Sequence, residues 1–203
     1  MGYALIVVIA YLMGSSSMAY YLSKAKKVDL RAGGSGNLGT SNTVLLMGWR
    51  AAIVVAIHDI GKGVLAVILA ELIFPQLAFA GAAAGVACVL GHIFPFYLKF
   101  RGGKGFATYI GMTIALSWKL ALVVLVLVLI ITLVTDYLAL GTFAAITVVP
   151  VWLGIATRSF VLPVILLLAT MIIFLKHREN IVRMIKGTEI GLRSALKGEH
   201  KVK

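Results

Sequence analysis

The chain has 203 residues, of which 61% are hydrophobic and only 13% are charged, and its mean hydropathy is +1.04. Soluble domains contain about 45–50% apolar and about 25% charged residues, so this composition excludes an ordinary soluble domain and indicates a polytopic membrane protein. The net charge of +12 does not indicate a nucleic-acid-binding protein, because the basic residues fall between and after apolar runs.

Seven apolar segments follow one another along the chain, and a helix that crosses a bilayer needs about 20 such residues. The segments lie near residues 2–22, 51–74, 77–97, 106–117, 119–134, 137–157 and 160–175. The fourth and fifth are short and are separated only by Ser117-Trp118-Lys119, so they also fit one long bent helix. We therefore predict an all-α, polytopic membrane helical bundle with about seven transmembrane helices, or five as the alternative, in a single domain over residues 1–203.

The basic residues predict how this bundle is oriented. With the N-terminus outside, residues 23–50, 98–105 and 176–203 face inward and hold five, three and eight of the 19 Lys and Arg residues. Only Lys119 and Arg158 then lie outside, whereas cytoplasmic loops normally carry the excess of Lys and Arg. We therefore expect an odd number of spans and a basic cytoplasmic tail over residues 176–203.

The first polar segment after a predicted span is GGSGNLGTSN, residues 33–42. It contains the spacing G-x-G-x-x-G, but the dinucleotide fingerprint also needs a preceding strand and a βαβ unit, which this chain lacks. Successive glycine-rich amide groups can form an anion-binding nest. The neutral donors of the segment are Ser35, Asn37, Thr40, Ser41 and Asn42. The segment therefore predicts either an anion site or a polar loop that caps helix ends.

The second polar segment is GHIFPFYLKFRGGKGFAT, residues 91–108. Its Gly-Gly-Lys-Gly run at 102–105 is not a Walker A motif, because glycine follows Lys104. The run nevertheless combines glycines, one lysine and a following helix N-terminus, which together favour phosphate binding. Lys99 and Arg101 beside it also fit plain membrane-surface charges.

Asp59, Lys62 and His92 are ionisable side chains within the predicted spans that could take part in a site. Asp59 and Lys62 are one helical turn apart, which allows them to pair with each other and leaves both a structural and a catalytic role open. His92, at the inner end of the third span, fits either a packing residue or a site residue. The four histidines are scattered and no cysteine joins them, so we expect no metal site.

A third polar segment, HRENIVRMIKGTEIG, covers residues 177–191. Asn180 and Glu189 are its polar residues that a basic surface helix does not explain. Both fit structural roles, and Glu189 also fits the positioning of a neighbouring Lys or Arg. All three segments are expected on the inner side of the membrane.

The stretches GSGNLGTSN, GHIFPFYLKFRGGKGFAT and HRENIVRMIKGTE, together with DIGKG in the second span, resemble the signature segments of the bacterial acyl-phosphate:glycerol-3-phosphate acyltransferase family. The resemblance implies a multi-pass enzyme of the bacterial inner membrane whose active site faces the cytoplasm. Such an enzyme moves a fatty acyl group from acyl phosphate to the 1-hydroxyl of glycerol 3-phosphate, giving lysophosphatidic acid and phosphate in the first step of phospholipid synthesis. The implied partners are these two substrates and membrane lipid, with no cofactor, no CoA or carrier-protein donor and no nucleic acid.

The resemblance also implies the site residues. Catalytic roles fall on Ser35, His92 and Lys104. It assigns substrate contacts to Gly36, Asn37, Gly102, Gly103, Gly105 and Asn180, and it gives Glu189 a role in supporting the structure. Further candidate substrate contacts, from their side-chain chemistry, are Thr40, Ser41, Asn42, Arg50 and Glu189. The chain departs from the family pattern at Leu45, where an arginine is usual, and Arg50 is the nearest arginine that follows.

Two questions stay open at this point. The proton of the glycerol hydroxyl is expected to pass either to His92 or to a phosphate oxygen of a substrate. A transporter of an anionic metabolite also fits seven spans with buried charges and glycine breaks, and a lipid-binding protein fits the basic face. The position of all three segments at one interface favours the enzyme.

Overall fold

A computed structural model describes residues 1–197, and every regular element in that range is helical. The chain forms two compact units, one of Met1–Leu116 and one that begins at Ser117. The predicted all-α class is confirmed, whereas the assignment of residues 1–203 to a single domain stays a prediction. The last residues of the predicted basic tail, 198–203, lie outside the described residues.

The first unit brings both glycine-containing loops to one end. Its helices are α1 (Gly2–Ser15), α2 (Met18–Lys26), α3 (Thr40–Met47), α4 (Trp49–Ile73), α5 (Ala80–Ile93), a short 3-10 helix (Phe96–Leu98) and α6 (Phe106–Leu116). The first glycine loop, residues 27–39, bonds to the second glycine loop, residues 99–105, because the Arg31 guanidinium donates to the Arg101 carbonyl at 2.7 Å. At the opposite end, the Tyr3 hydroxyl donates to the carbonyl of Ala78 in the α4–α5 turn.

Glycines allow the helices of this unit to pack backbone against backbone. A Cβ at Gly63 of α4 would collide with the Thr108 carbonyl of α6, and one at Gly111 of α6 would collide with the Ile60 carbonyl of α4. Helices in a bilayer associate through such close approaches, since lipid tails give no hydrophobic drive to pack. The contact fixes α6, and with it the second glycine loop, against the charged part of α4.

The second unit is built from three long helices and a bent end. It contains α7 (Trp118–Thr135), α8 (Leu138–Thr157), α9 (Val161–Lys176), α10 (Arg178–Ile185) and α11 (Leu192–Lys197). Asp136 ends α7 in a left-handed conformation, and its carboxylate Oδ1 accepts from the Arg193 amide at 2.8 Å. Leu192 donates its amide to the Asp136 carbonyl at 2.8 Å. The segment before α11 is therefore tied to the α7–α8 turn, which places both at the same end of this unit.

The helices agree closely with the predicted spans. Among residues 1–197, five helical segments are long and apolar enough to cross a membrane: Gly2–Lys26, Trp49–Ile73, Ala80–Leu98, Trp118–Thr135 and Leu138–Thr157. Val161–Lys176 together with Arg178–Ile185, bent by 42°, makes a sixth if the pair is one span. Phe106–Leu116 is apolar but has only 11 residues, about 16 Å of helix. The count of seven spans and the inside–outside orientation stay predictions.

Candidate active site

The first glycine loop is held down by two leucines and turned by two glycines. Leu30 and Leu38 are 0% and 2% exposed, and they pack into an apolar cluster with residues of α2 and α4. Gly34 and Gly36 have φ of +59° and +67°, a conformation that side chains with a Cβ rarely adopt. The loop thus exposes its polar atoms while its apolar residues anchor it.

Asn42 organises this loop. It is 1% exposed, and its Oδ1 accepts from the Ser35 amide at 2.8 Å. Its Nδ2 donates to the Leu30 carbonyl at 2.7 Å and to the Gly33 carbonyl at 3.3 Å. Both ends of the amide are engaged by backbone, so the geometry gives Asn42 the role of shaping the loop, while its substrate contact stays a prediction.

We expect Asn42→Ala to release the first glycine loop without unfolding the helices. Each buried polar group left without a partner costs about 1–3 kcal/mol, and this substitution strands the Leu30 carbonyl in particular. Limited trypsin digestion in detergent measures the release, since Lys27 and Arg31 lie in the loop. Asn42→Asp keeps only the acceptor and should behave similarly, whereas exposed Ser41→Ala should digest like the unmodified protein. Unchanged digestion of both Asn42 variants would refute this role.

The other predicted residues of the first segment face outward to different degrees. Ser35 and Asn37 are half-buried, and Gly36 and Ser41 are exposed. The Thr40 hydroxyl, in the first turn of α3, is buried and has no hydrogen-bond partner among residues 1–197. Within residues 33–42, the donors that best fit a bound anion are therefore Ser35, Asn37 and Thr40.

In the second glycine loop, the amides of the first two glycines are used by the protein itself. The Gly102 and Gly103 amides donate to the carbonyls of Ile93 and His92 at 3.0 and 3.1 Å. They satisfy carbonyls at the end of α5, which would otherwise lack partners, and so these two N–H groups are not available to a phosphate. The substrate contacts of Gly102 and Gly103 therefore stay predictions, and their amides are engaged by the backbone of α5.

The features that favour anion binding lie one step further along the loop. Helix α6 begins at Phe106, so the amides of its first turn have no acceptor within the helix and carry the positive end of its dipole. Gly105 turns the chain into this helix with φ of +91°. Lys104 is half-buried just before that turn. Lysine, helix N-terminus and glycine turn thus coincide, as the sequence predicts for phosphate binding.

The two glycine loops and His92 meet at Gly103. A Cβ added to this glycine would collide with Nε2 of His92 and would lie 2.8 Å from the Leu38 carbonyl of the first glycine loop. The Arg31 guanidinium joins the same loops through the carbonyls of Arg101 and Leu98, at 2.7 and 3.4 Å. The predicted convergence of the first two segments is therefore present within the first unit.

A buried charge cluster lies directly behind His92. Asp59 and Lys62 are 2% and 6% exposed, and Lys62 Nζ lies 3.0 Å from Asp59 Oδ1. Lys62 Nζ also lies 2.9 Å from His92 Nδ1 and donates to the Ser16 carbonyl at 2.7 Å. His58 Nδ1 lies 3.3 Å from the same Asp59 oxygen. The pairing of Asp59 with Lys62 was expected from their spacing, whereas their contact with His92 was not.

The remaining predicted residue of the first unit lies apart from these contacts. Arg50 is exposed in the first turn of α4, beyond a helix break at Gly48 whose φ is +80°. Leu45, at the position of the expected arginine, is half-buried on α3, 3.6 Å from a Cβ built on Gly34. The substitution of Arg50 for the missing arginine stays a prediction.

The third predicted segment lies in the second unit, at the bend between α9 and α10. Asn180 is 8% exposed and donates to Glu189 Oε1 at 2.5 Å. Arg183 Nε donates to the other Glu189 oxygen at 2.6 Å. Glu189 therefore holds Asn180 and Arg183 together, which fits a supporting role. The substrate contacts of Asn180 and Glu189 stay predictions.

His177 also lies at this bend, although the sequence did not single it out as a site residue. It is 6% exposed, and its Nδ1 lies 2.8 Å from the Ile173 carbonyl.

In the described part of the chain, no three His, Cys, Asp or Glu side chains are arranged to hold a metal ion. The site consists instead of a lysine, a helix N-terminus, hydroxyl and amide donors and one histidine backed by an ion pair. Such a set suits a phosphate-bearing ligand, because fixed cations and N–H or O–H groups are what phosphate oxygens accept from.

Comparison with known proteins agrees with this chemistry. The model of the family described as glycerol-3-phosphate acyltransferase matches residues 4–187. A glycerol-3-phosphate acyltransferase of Coxiella burnetii (strain CbuG_Q212) is 39% identical over 193 residues, covering 93% of this chain and 97% of the relative. One from Halalkalibacterium halodurans is 38% identical over 191 residues, covering 91% and 93%.

Solved structures of an integral membrane glycerol 3-phosphate acyltransferase, PlsY, share the fold. The crystal structure of its glycerol 3-phosphate form has a TM-score of 0.90 at 31% identity, covering 97% of this chain and 98% of that one. The lysophosphatidic acid form has a TM-score of 0.86 at 31% identity, covering 97% and 100%. With a matching family model over most of its length and relatives near 40% identity, the chain belongs to the glycerol-3-phosphate acyltransferase family.

Proposed function

We propose that this enzyme transfers a fatty acyl group from acyl phosphate to the 1-hydroxyl of glycerol 3-phosphate, releasing lysophosphatidic acid and phosphate as the first step of phospholipid synthesis. The observation that carries the proposal is the meeting of both glycine loops and His92 at Gly103, in the loop that carries Lys104. Membership of the acyltransferase family and the solved PlsY forms with substrate and product support it further.

The proposed reaction needs little acid–base power. The glycerol hydroxyl oxygen attacks the carbonyl carbon of acyl phosphate, the new C–O ester bond forms, and the C–O bond to the phosphate breaks. The bond electrons leave with the phosphate, which also ends with the hydroxyl proton. Because phosphate is a good leaving group, positioning of the two substrates and stabilisation of the departing charge supply most of the acceleration.

The residues of the first unit divide these tasks by their chemistry. Lys104 and the first-turn amides of α6 bind phosphate oxygens and stabilise the negative charge as the leaving group departs. Ser35 and Asn37 donate from the first glycine loop, and Thr40 donates from the first turn of α3. Gly103 gives the room and Gly105 the turn that these groups need, while the Gly103 amide donates to the His92 carbonyl.

The proposed location is the bacterial inner membrane, with the glycine loops on the cytoplasmic side. The excess of Lys and Arg in the predicted inner segments supports this orientation. In this orientation the apolar acyl chain arrives through the bilayer and glycerol 3-phosphate arrives from the cytosol, so each substrate reaches the loops from its own solvent.

The proposal is tested by giving purified protein, in detergent or lipid, acyl phosphate and labelled glycerol 3-phosphate without CoA. We expect labelled lysophosphatidic acid. We expect none when acyl-CoA or the acylated form of acyl carrier protein replaces acyl phosphate. Formation of product only with a thioester donor would overturn the donor assignment. Uptake of unmodified glycerol 3-phosphate into liposomes, without product, would instead identify a transporter.

A further inference from the structure

The buried cluster behind His92 bears on which nitrogen of that imidazole carries the proton. A lysine ammonium has three N–H donors and no acceptor. Lys62 Nζ has three acceptors around it, the Ser16 carbonyl at 2.7 Å, His92 Nδ1 at 2.9 Å and Asp59 Oδ1 at 3.0 Å. Each donor is matched by one acceptor, so the ammonium is saturated and Nδ1 of His92 accepts.

The break between α1 and α2 makes this saturation possible. Ser16 ends α1 with an extended ψ of 130°, and the Ser17 side chain caps α2 by accepting from the Tyr20 amide at 3.3 Å. The Ser16 carbonyl is thereby turned out of the helix and accepts from Lys62. A charge within the bilayer needs such partners, because leaving it unpaired there is costly.

The competing arrangement is a histidine–carboxylate dyad, in which His92 Nδ1–H donates to Asp59 and Nε2 is a free base. Two distances disfavour it. Nδ1 lies 3.5 Å from Asp59 Oδ1 but 2.9 Å from Lys62 Nζ. The same Asp59 oxygen already has Lys62 at 3.0 Å and His58 at 3.3 Å.

We propose that Lys62, held in place by Asp59, is a positioning residue that fixes His92 as the neutral tautomer with its proton on Nε2. His92 then presents a hydrogen-bond donor, and not a base, to the second glycine loop at Gly103. The inference rests on the proposed function only where it assigns that loop to a substrate phosphate.

The direct test is nitrogen-15 NMR of histidine-labelled protein in detergent at neutral pH, without substrate. The chain has four histidines, so the His92 signals are assigned by replacing His58, His177 and His200 one at a time. We expect a protonated Nε2 and an unprotonated Nδ1 in the unmodified protein. A protonated Nδ1 there would overturn the proposal. Because no substrate is added, an incorrect acyl donor leaves this result unaffected.

Substitution of Lys62 tests the cause. In Lys62→Met the donor is gone, and we expect Nδ1 to become protonated and to donate to Asp59. Lys62→Arg keeps a donor and should retain an unprotonated Nδ1. Cys88→Ala is the matched control, since the Cys88 thiol is buried and donates to the Lys62 carbonyl at 3.5 Å without meeting the ammonium. If Lys62→Met does not fold, the protonation of His92 Nδ1 in the unmodified protein and in Lys62→Arg still tests the proposal. An unprotonated Nδ1 in folded Lys62→Met would refute the role of Lys62.

Kinetics separate positioning from plain stability. With the tautomer lost, one fixed donor near the phosphate is lost, and we expect kcat of folded Lys62→Met to fall about 100-fold with little change in KM for glycerol 3-phosphate. Lys62→Arg should recover part of this loss, and Cys88→Ala should keep the activity of the unmodified enzyme. Equal kcat in Lys62→Met and Cys88→Ala would contradict the proposal.

Discussion

Replacement of Lys104 by methionine is expected to lower kcat by about 10²–10³-fold while the protein keeps its fold, because Lys104 is the cation that directly precedes the turn into α6 and the departing phosphate gains charge in the transition state. Methionine keeps most of the apolar stem and removes only the ammonium. The measurement is the rate of lysophosphatidic acid formation at saturating substrates, with thermal unfolding in detergent as the check of folding.

Lys99→Met is the matched control for this experiment. Lys99 lies in the same loop, is exposed, and fits a membrane-surface charge. The same change of side chain there should leave kcat close to that of the unmodified enzyme. Equal effects at the two positions would mean that the general positive charge of the loop matters, and that Lys104 has no specific phosphate-binding role.

Gly103→Ala is expected to lower activity about 100-fold, since displacement of reacting groups by about 1 Å has an effect of that size. The added Cβ would collide with His92 Nε2 and lie 2.8 Å from the Leu38 carbonyl. Neither neighbour can easily move, because His92 is fixed by Lys62 and Leu38 is 2% exposed. Activity and thermal unfolding measured together separate a displaced loop from an unfolded protein.

Gly61→Ala serves as the control for Gly103→Ala. Gly61 lies on α4 between Asp59 and Lys62, but a Cβ there would meet no atom within 4 Å. Alanine in a helix is more favourable than glycine by about 0.5–1 kcal/mol, so this variant should be active and at least as stable as the unmodified enzyme. Retention of full activity in Gly103→Ala would show that the two glycine loops do not need their close contact.

The helices were predictable because apolar runs and their interruptions are local signals. The predicted second span at 51–74 corresponds to Trp49–Ile73, and the predicted sixth at 137–157 to Leu138–Thr157. The number of crossings was not predictable to the same degree. Phe106–Leu116 is apolar enough for a span but has 11 residues, and apolarity alone does not tell a short buried helix from a membrane-crossing one.

The site was predictable in its residue types but not in its hydrogen bonds. Glycines at 102 and 103 indicate close backbone approach, but the groups that approach are the end of α5 and His92 itself. Asn42 was predicted as a substrate contact from its amide alone, and its hydrogen bonds to the first glycine loop were not predictable. Which partner a polar group takes depends on tertiary contacts that no local pattern encodes.

Asp59 and Lys62 illustrate the same limit from the other side. Their spacing on one helix predicted the 3.0 Å ion pair, because residues three apart share a face. Their contact with His92, 30 positions later along the chain, depends on how α4 packs against α5. The sequence signal for a contact of this kind is that two charges within an apolar span need a further partner.

In the proposed reaction, glycerol 3-phosphate attacks the acyl carbon of acyl phosphate and not its phosphorus. Acyl phosphate labelled with oxygen-18 in the oxygen that bridges carbon and phosphorus tests it directly, with mass spectrometry of both products. Cleavage of the C–O bond sends the label into phosphate, so we predict unlabelled lysophosphatidic acid and labelled inorganic phosphate in equal amounts. Label recovered in free fatty acid, with no lysophosphatidic acid formed, would contradict acyl transfer by this enzyme.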